Sequence, residues 1–309
     1  MSSPFHNADF FSFFALFFSR LFTWHSLAPD EIQFFVLSLI AIASSLVGTL
    51  LVLKRMTMLA NSLSHTILLG IVGAYLLFSH AEGLGPLTFQ VLIVAALITG
   101  VITTLLTQLL HKVVKLQEDA SIGLVFTSLF ALGLLLVTLY TRNAHIGLEI
   151  LMGNADALHA SDLKVSFGVA AVNGCILALF FKEWKLVCFD EGLAASLNFR
   201  PALFNHLLML LASATAISAF RAVGVILFLA LLVGPPLIAR LFTSDLKKLL
   251  LLSCAIGITS SLLAIATARH LLTVYSLPLS TAGLVVTFIG AFFLVSLVVR
   301  NLTFRKISA

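Results

Sequence analysis

The stretch Lys54-Arg55-Met56-Thr57-Met58-Leu59-Ala60-Asn61-Ser62-Leu63-Ser64-His65-Thr66-Ile67-Leu68-Leu69-Gly70 decides how this chain reads. Two cations close one apolar run, and a second apolar run begins a few residues later. Inside that second run stand Asn61, Ser64 and His65. On a helix, positions 61 and 65 share a face and 64 lies beside both. Polar side chains in apolar surroundings are costly unless they line a cavity or a path. This face is therefore expected to border the route of something that crosses.

The sequence on either side is as apolar as the run itself. Of 309 residues, 60% are hydrophobic and only 10% charged, and the mean hydropathy is +1.13. A soluble domain carries about a quarter charged residues. Repeated apolar runs of about 20 residues predict membrane-spanning helices rather than a barrel. The fold class expected is all-α, a polytopic membrane helical bundle. Nine spans are predicted, at Ile32–Leu53, Ala60–Phe78, Leu87–Leu110, Ser121–Tyr140, Val165–Phe181, Leu203–Phe220, Val223–Leu241, Leu246–Ala268 and Thr281–Val299. The break at Phe220-Arg221-Ala222-Val223-Gly224 divides one long apolar stretch; fusing its halves would give eight. Pro235-Pro236 is expected to kink or unwind the following helix. Phe10–Trp24 is short for a span and contains Arg20, so it reads as a helix lying in the interface. The organisation is then 1–31 as an N-terminal interfacial segment, 32–300 as a transmembrane domain and 301–309 as a cytoplasmic tail. No basic residues precede the first apolar stretch, so no cleavable signal is expected.

Charge sets the orientation. With the Lys54 loop in the cytoplasm, 13 of the 18 Lys and Arg residues fall on that side. The other five are Arg20, Arg142, Lys164, Arg221 and Arg269. Nine spans keep this alternation through every loop, whereas eight would place the last basic clusters outside. The formal charge of +5 therefore reflects helix ends and does not point to nucleic acid.

None of the 13 acidic residues falls in mid-span by these boundaries. Transporters driven by protons or sodium usually keep an intramembrane carboxylate for the driving ion. Energy is thus expected from elsewhere. The chain has no Gly-Lys dipeptide and so no phosphate-binding Walker loop. It also lacks His-Glu-x-x-His, the commonest metalloprotease signature. Cys175, Cys188 and Cys254 form no CxxC pair and read as small buried hydrophobes.

One loop looks structured, Lys182–Pro201. Asp190 is placed to cap a short helix, with acid in its first turn suiting the helix dipole. Leu193, Ala194 and Leu197 are expected to share one face, Asn198 to end the helix, and Pro201 to prevent continuation. Such a helix, displayed on the cytoplasmic side, suits a partner's groove or the membrane surface.

These residues together resemble the metal-type permease family, the membrane subunits of ABC importers for manganese, zinc or iron. The resemblance runs from about Leu50 to Val299. The family pattern near the first cytoplasmic loop is basic-Arg-Met, then Gly-Asp-x-x-Ser/Ala-His-x-x-x-x-Gly. Here it reads Lys54-Arg55-Met56, then Ala60-Asn61-Ser62-Leu63-Ser64-His65, with Gly70 in place. Phe189-Asp190-Glu191-Gly192-Leu193-Ala194 is similar to the family's docking segment. Gly153-Asn154, Arg221-Ala222-Val223-Gly224 and Leu231-Leu232-Val233-Gly234-Pro235 also match. Asn61 departs from the family's aspartate, and Leu69 from its proline. An amide offers a metal only a neutral carbonyl oxygen, a poorer ligand than a carboxylate. The path then binds metal more loosely, or a related permease partner supplies the acid.

The resemblance implies a type II-like ABC importer permease with no permanently bound cofactor and no catalytic residues of its own. It implies a transient metal path at His65 and Asn61. It also implies docking of an ATPase subunit through Phe189, Asp190, Glu191, Leu193, Ala194 and Leu197. An extracytoplasmic metal-binding protein and a second permease copy or relative are the other implied partners, with membrane lipid around them. The location implied is the bacterial inner membrane. His6, His25, His80, His145, His159 and His270 fall on the outer side and could receive metal there. His111 and His206 sit at cytoplasmic helix ends. The rival readings are a permease for a metal chelate, siderophore or corrinoid, an ion-coupled secondary transporter, and a non-transporting membrane subunit.

Overall fold

The computed structural model describes residues 10–21, 28–79, 89–140 and 153–307. His6, His25, His80, Arg142 and His145, and the side chains of Ser64 and Arg221, lie outside the described residues. The described chain is helical and contains no strand. In order, the helices are α1 (Phe10–Leu21), α2 (Pro29–Leu53), α3 (Thr57–Ser79), α4 (Phe89–Lys112), α5 (Glu118–Tyr140) and α6 (Ala160–Leu179). Then follow α7 (Phe181–Phe189), α8 (Glu191–Ser196), α9 (Pro201–Val223), α10 (Val225–Phe242), α11 (Leu246–Tyr275) and α12 (Thr281–Ile307). Seven of those described, α2, α5, α6 and α9 to α12, are long and apolar enough to cross a membrane. Helices α3 and α4, of 23 and 24 residues, stand on the two remaining stretches predicted as spans. Helix α12 continues through most of the segment read as a tail, to Ile307.

The chain divides into two compact units, 1–49 with 153–174 and 222–309, and 50–152 with 175–221. In the first unit α2, α10, α11 and α12 share a core of Leu37, Ile40, Val47, Phe228, Leu231, Ile265 and Val285. Lipid gives helices no hydrophobic reason to associate, so close backbone contact must hold them. Small residues supply it. A Cβ at Gly48 would stand 1.8 Å from the Leu232 carbonyl oxygen, and one at Gly257 3.0 Å from the Ala41 Cβ. Thr49 and Ser253 hydroxyls meet at 3.2 Å on the same seam.

Two expectations about α9 and α10 have different outcomes. The chain does break after Val223: Gly224 adopts φ 81°, ψ 170°, a conformation that side chains with a Cβ rarely tolerate. The Pro235-Pro236 pair, by contrast, does not unwind α10, which runs through both prolines. Pro236 cannot donate to the carbonyl four residues back, that of Leu232. This is the carbonyl that Gly48 approaches, so the neighbouring helix covers the gap the proline opens.

The start of α2 is tied to α1. Pro29 occupies the first helical position, where its missing N–H costs nothing. Glu31 Oε2 accepts the Ala28 N–H at 2.7 Å, and Glu31 Oε1 accepts Arg20 Nε at 2.7 Å. Helix α1, itself only 12 residues, buries Phe13 and Phe17 here and leaves Phe11 and Phe18 exposed. Its Phe10 N–H donates to His270 Nδ1 at 3.3 Å.

In the second unit α3, α4 and α5 pack together, with Leu68, Val72 and Val137 at the centre of the α3–α5 seam. Trp184, fully buried, sets the short helix α7 edge-on to Phe204 of α9, with ring centres 5.2 Å apart.

Candidate functional site

Helix α3 starts at Thr57, so the stretch quoted at the outset makes the end of α2, a turn, and the first turns of α3. Asn61 and His65 both lie on α3 and are both half-buried. The His65 ring is 5.3 Å from Phe126 and 5.5 Å from Phe130, centre to centre, and those two rings stack at 5.9 Å. Phe126 and Phe130 are four residues apart, so α5 offers them as one platform. Gly133 lets α5 come this near: a Cβ there would stand 3.1 Å from the Leu69 nitrogen. His65 opposes Phe126 and Phe130, and Leu69 opposes Gly133. Contacts thus advance together along both helices, and α3 and α5 run parallel.

The adjoining face of α3 is held by α4. The Thr103 hydroxyl lies 3.1 Å from the Thr66 hydroxyl and 2.7 Å from the Thr99 carbonyl. A Cβ at Gly70 would meet Thr99 Oγ1 at 2.4 Å and the Ala95 carbonyl at 2.8 Å. Helix α3 is therefore fixed on two sides. Among the described residues, Asn61 and His65 have no hydrogen-bond partner, unlike Thr66 beside them. Also among the described residues, no cluster of three or more His, Cys, Asp and Glu side chains gathers. The side chains this face offers are one imidazole and one amide, a turn apart on α3.

Sequence reasoning missed Phe126, Phe130, Thr66 and Thr103. A signal was present: Phe126 and Phe130 are spaced one turn apart, as are Thr99, Thr103 and Thr107. Spacing alone did not say that these faces meet α3.

The Lys182–Pro201 loop folds as two helices meeting at Asp190. The Asp190 N–H donates to the Leu186 carbonyl, ending α7, while its side chain accepts the Leu193 N–H at 2.9 Å, starting α8. The predicted cap is therefore present, and its residue also closes the preceding helix. Asn198 ends α8 in the left-handed region at φ 63°. Phe199 N–H reaches the Ala194 carbonyl and Asn198 N–H the Ala195 carbonyl, at 3.0 and 3.1 Å, a Schellman closure. The expected common face is a correction. Ala194 is fully buried, while Leu193 and Leu197 are exposed, because adjacent helical positions point about 100° apart. The exposed apolar set is Phe189, Leu193 and Leu197.

The same closure ends α2. Arg55 has φ 59°, Met56 N–H reaches the Leu51 carbonyl at 2.9 Å, and Arg55 N–H the Val52 carbonyl at 3.3 Å. Lys54, at this helix end, pairs with Glu191 of α8 at 2.5 Å. The other described histidines are dispersed. His159 is exposed, His111 bonds the Leu116 carbonyl at 2.9 Å, and His206 meets Gln108 at 3.4 Å beside an apolar cavity of about 190 Å³.

Near the start of α2, polar groups border an open cleft of about 440 Å³. Gln33 Nε2 donates to the Ala155 carbonyl at 2.8 Å and lies 3.2 Å from Asp156 Oδ1. Asp156 Oδ1 also accepts from Thr281, and Asp30 pairs with Arg269. Among the described residues, the buried carboxylates Asp30 and Glu31 both have cationic partners, as their desolvation requires.

The profile of the ABC 3 transport family matches residues 32–300. The chain belongs to the ABC 3 transport family. A family relative from Chlamydia trachomatis serovar D, named a probable metal transport system membrane protein, is 43% identical over 96% of this chain and 93% of its own. The manganese transport system membrane protein MntD of Bacillus subtilis is 38% identical over 71% of this chain and 76% of its own. Among solved structures, PsaBC from Streptococcus pneumoniae in complex with Fab superposes with a TM-score of 0.73 at 26% identity. That match covers 92% of this chain and 95% of the other.

Proposed function

We propose that this chain is the permease subunit of an ATP-driven importer that carries manganese, zinc or iron as divalent ions across the bacterial inner membrane. The observation that carries the reading is the family match across residues 32–300. The composition agrees, since the acidic side chains of the described spans sit only at helix ends. In this reading nine spans cross the bilayer, the Lys54 and Lys182–Pro201 loops face the cytoplasm, and α1 lies in the outer interface.

The cargo passes the α3 face. Neutral imidazole suits manganese, zinc and ferrous iron alike, and the amide of Asn61 adds one weak oxygen. Weak, sparse ligation is an advantage here, because conduction requires release. The Phe126–Phe130 platform fixes the His65 ring without occupying its nitrogens in hydrogen bonds. The chain does not hydrolyse ATP. A separate ATPase subunit docks on the exposed Phe189, Leu193 and Leu197, an extracytoplasmic binding protein delivers the ion, and a second permease copy or relative completes the pore.

Substitution of His65 by Ala tests the path. In proteoliposomes holding the whole complex, metal uptake is expected to fall to background while the ATPase subunit still co-purifies. Normal uptake of manganese, zinc and iron by this variant would take His65 off the route.

A further inference from the structure

Lys54 has 3% of its side chain exposed, whereas Glu191 has 55%. Lysine is almost never that buried without a counter-charge. Among the described residues its ion-pair partner is Glu191, on the first turn of α8. The asymmetry matters. If α8 moves, Glu191 finds water at once, but Lys54 is left as a bare cation in a desolvated place. The cation is therefore drawn along with the carboxylate. The Cys188 thiol at the end of α7 feels both charges, and burial pushes it up to about 11. The pair thus joins a buried cation to a carboxylate at the surface.

What Lys54 is attached to has no slack. It lies at the C-terminal end of α2, where a cation is favoured by the helix dipole. The turn after it is locked by the Met56 and Arg55 hydrogen bonds, and α3 begins at Thr57. A displacement of Lys54 therefore reaches the base of α3, the helix that carries Asn61 and His65. We propose that the Lys54–Glu191 ion pair is the link that carries motion of α8 into α3. Lys54 and Glu191 are positioning residues for transport and do not touch the cargo. This rests on α8 being where the ATPase docks.

The test uses the complete complex in proteoliposomes, reading co-purified ATPase, ATP hydrolysis, and metal taken up per ATP. The metal offered is whichever of Mn(II), Zn(II) and Fe(II) the unaltered complex moves best. Lys54→Met and Lys54→Glu are expected to keep the ATPase bound and hydrolysing, while metal moved per ATP falls at least about tenfold. The swap K54E/E191K restores the opposite charges and is expected to recover uptake per ATP to within about threefold, the non-additivity that marks a direct interaction. Unchanged uptake per ATP in the Lys54 variants overturns the link, as does a swap no better than Lys54→Glu. Loss of the ATPase from the Lys54 variants also overturns it, since the pair would then serve docking. If neither single variant accumulates in the membrane, the swap decides alone: coupled uptake upholds the link and failure overturns it. An unaltered complex that holds no ATPase defeats the docking reading itself, a result distinct from all of these.

Discussion

The polar groups at the start of α2 and those on the α3 face live under the same constraint and meet it differently. Asp30 pairs with Arg269, Glu31 with Arg20 and the Ala28 N–H, and Asp156 with Gln33 and Thr281. Among the described residues, Asn61 and His65 have no hydrogen-bond partner, and the His65 ring faces Phe126 and Phe130. Paired polar groups in an apolar setting fix helix positions. A half-buried polar pair without a protein partner is open to water or, in the proposed function, to a passing ion. The difference separates the fastening of this chain from its proposed path.

The largest effect on stability is therefore expected at the fastened end. Asp30→Ala leaves Arg269 without its buried partner, and removing one member of a fully buried pair costs about 3–5 kcal/mol. Arg269 retains 26% of its side-chain exposure, so the loss is expected at the low end of that range or below it. Thermal unfolding of the purified chain in detergent reads the loss. An unchanged midpoint would mean that the pair is ornamental, and the comparison would fail on its first side.

A smaller effect, on affinity, is expected at the spare end. Asn61→Asp places a charged oxygen one turn from His65, where the family pattern carries an aspartate. A carboxylate is the better ligand for such dications. Calorimetric titration of the complex with the transported metal is expected to show roughly tenfold tighter binding, about 1.4 kcal/mol. Unaltered affinity would remove Asn61 from the metal's surroundings and leave His65 alone there.

Both regions were legible in sequence to different depths. Asn61 and His65 stood out because polar residues inside an apolar run are conspicuous, and helical spacing put them on one face. The Asp190 cap and the Gly224 break were legible because each is a local matter of one residue's backbone chemistry. The Phe126–Phe130 platform was hidden, since phenylalanine in an apolar helix is ordinary until a neighbouring helix is placed against it. The Lys54–Glu191 pair was hidden for the same reason, as 137 residues separate its partners. Of the two outcomes expected at the prolines of α10, unwinding did not occur, because the remedy for Leu232's lost hydrogen bond lies on another helix, at Gly48.

The smallest effect on stability is expected where the effect on transport is greatest. His65→Phe keeps a ring against Phe126 and Phe130 and removes both nitrogens. Aromatic pairs contribute about 0.5–1.5 kcal/mol each whatever the ring, so the exchange should alter stability by less than about 1 kcal/mol. Uptake, by contrast, should be lost as completely as with Ala, because only the weak amide oxygen of Asn61 remains. If His65 were a packing residue, the outcomes would reverse: Phe would transport normally and Ala would fail through instability. Measuring unfolding and uptake on both variants thus separates a side chain that holds the bundle from one that waits for its cargo.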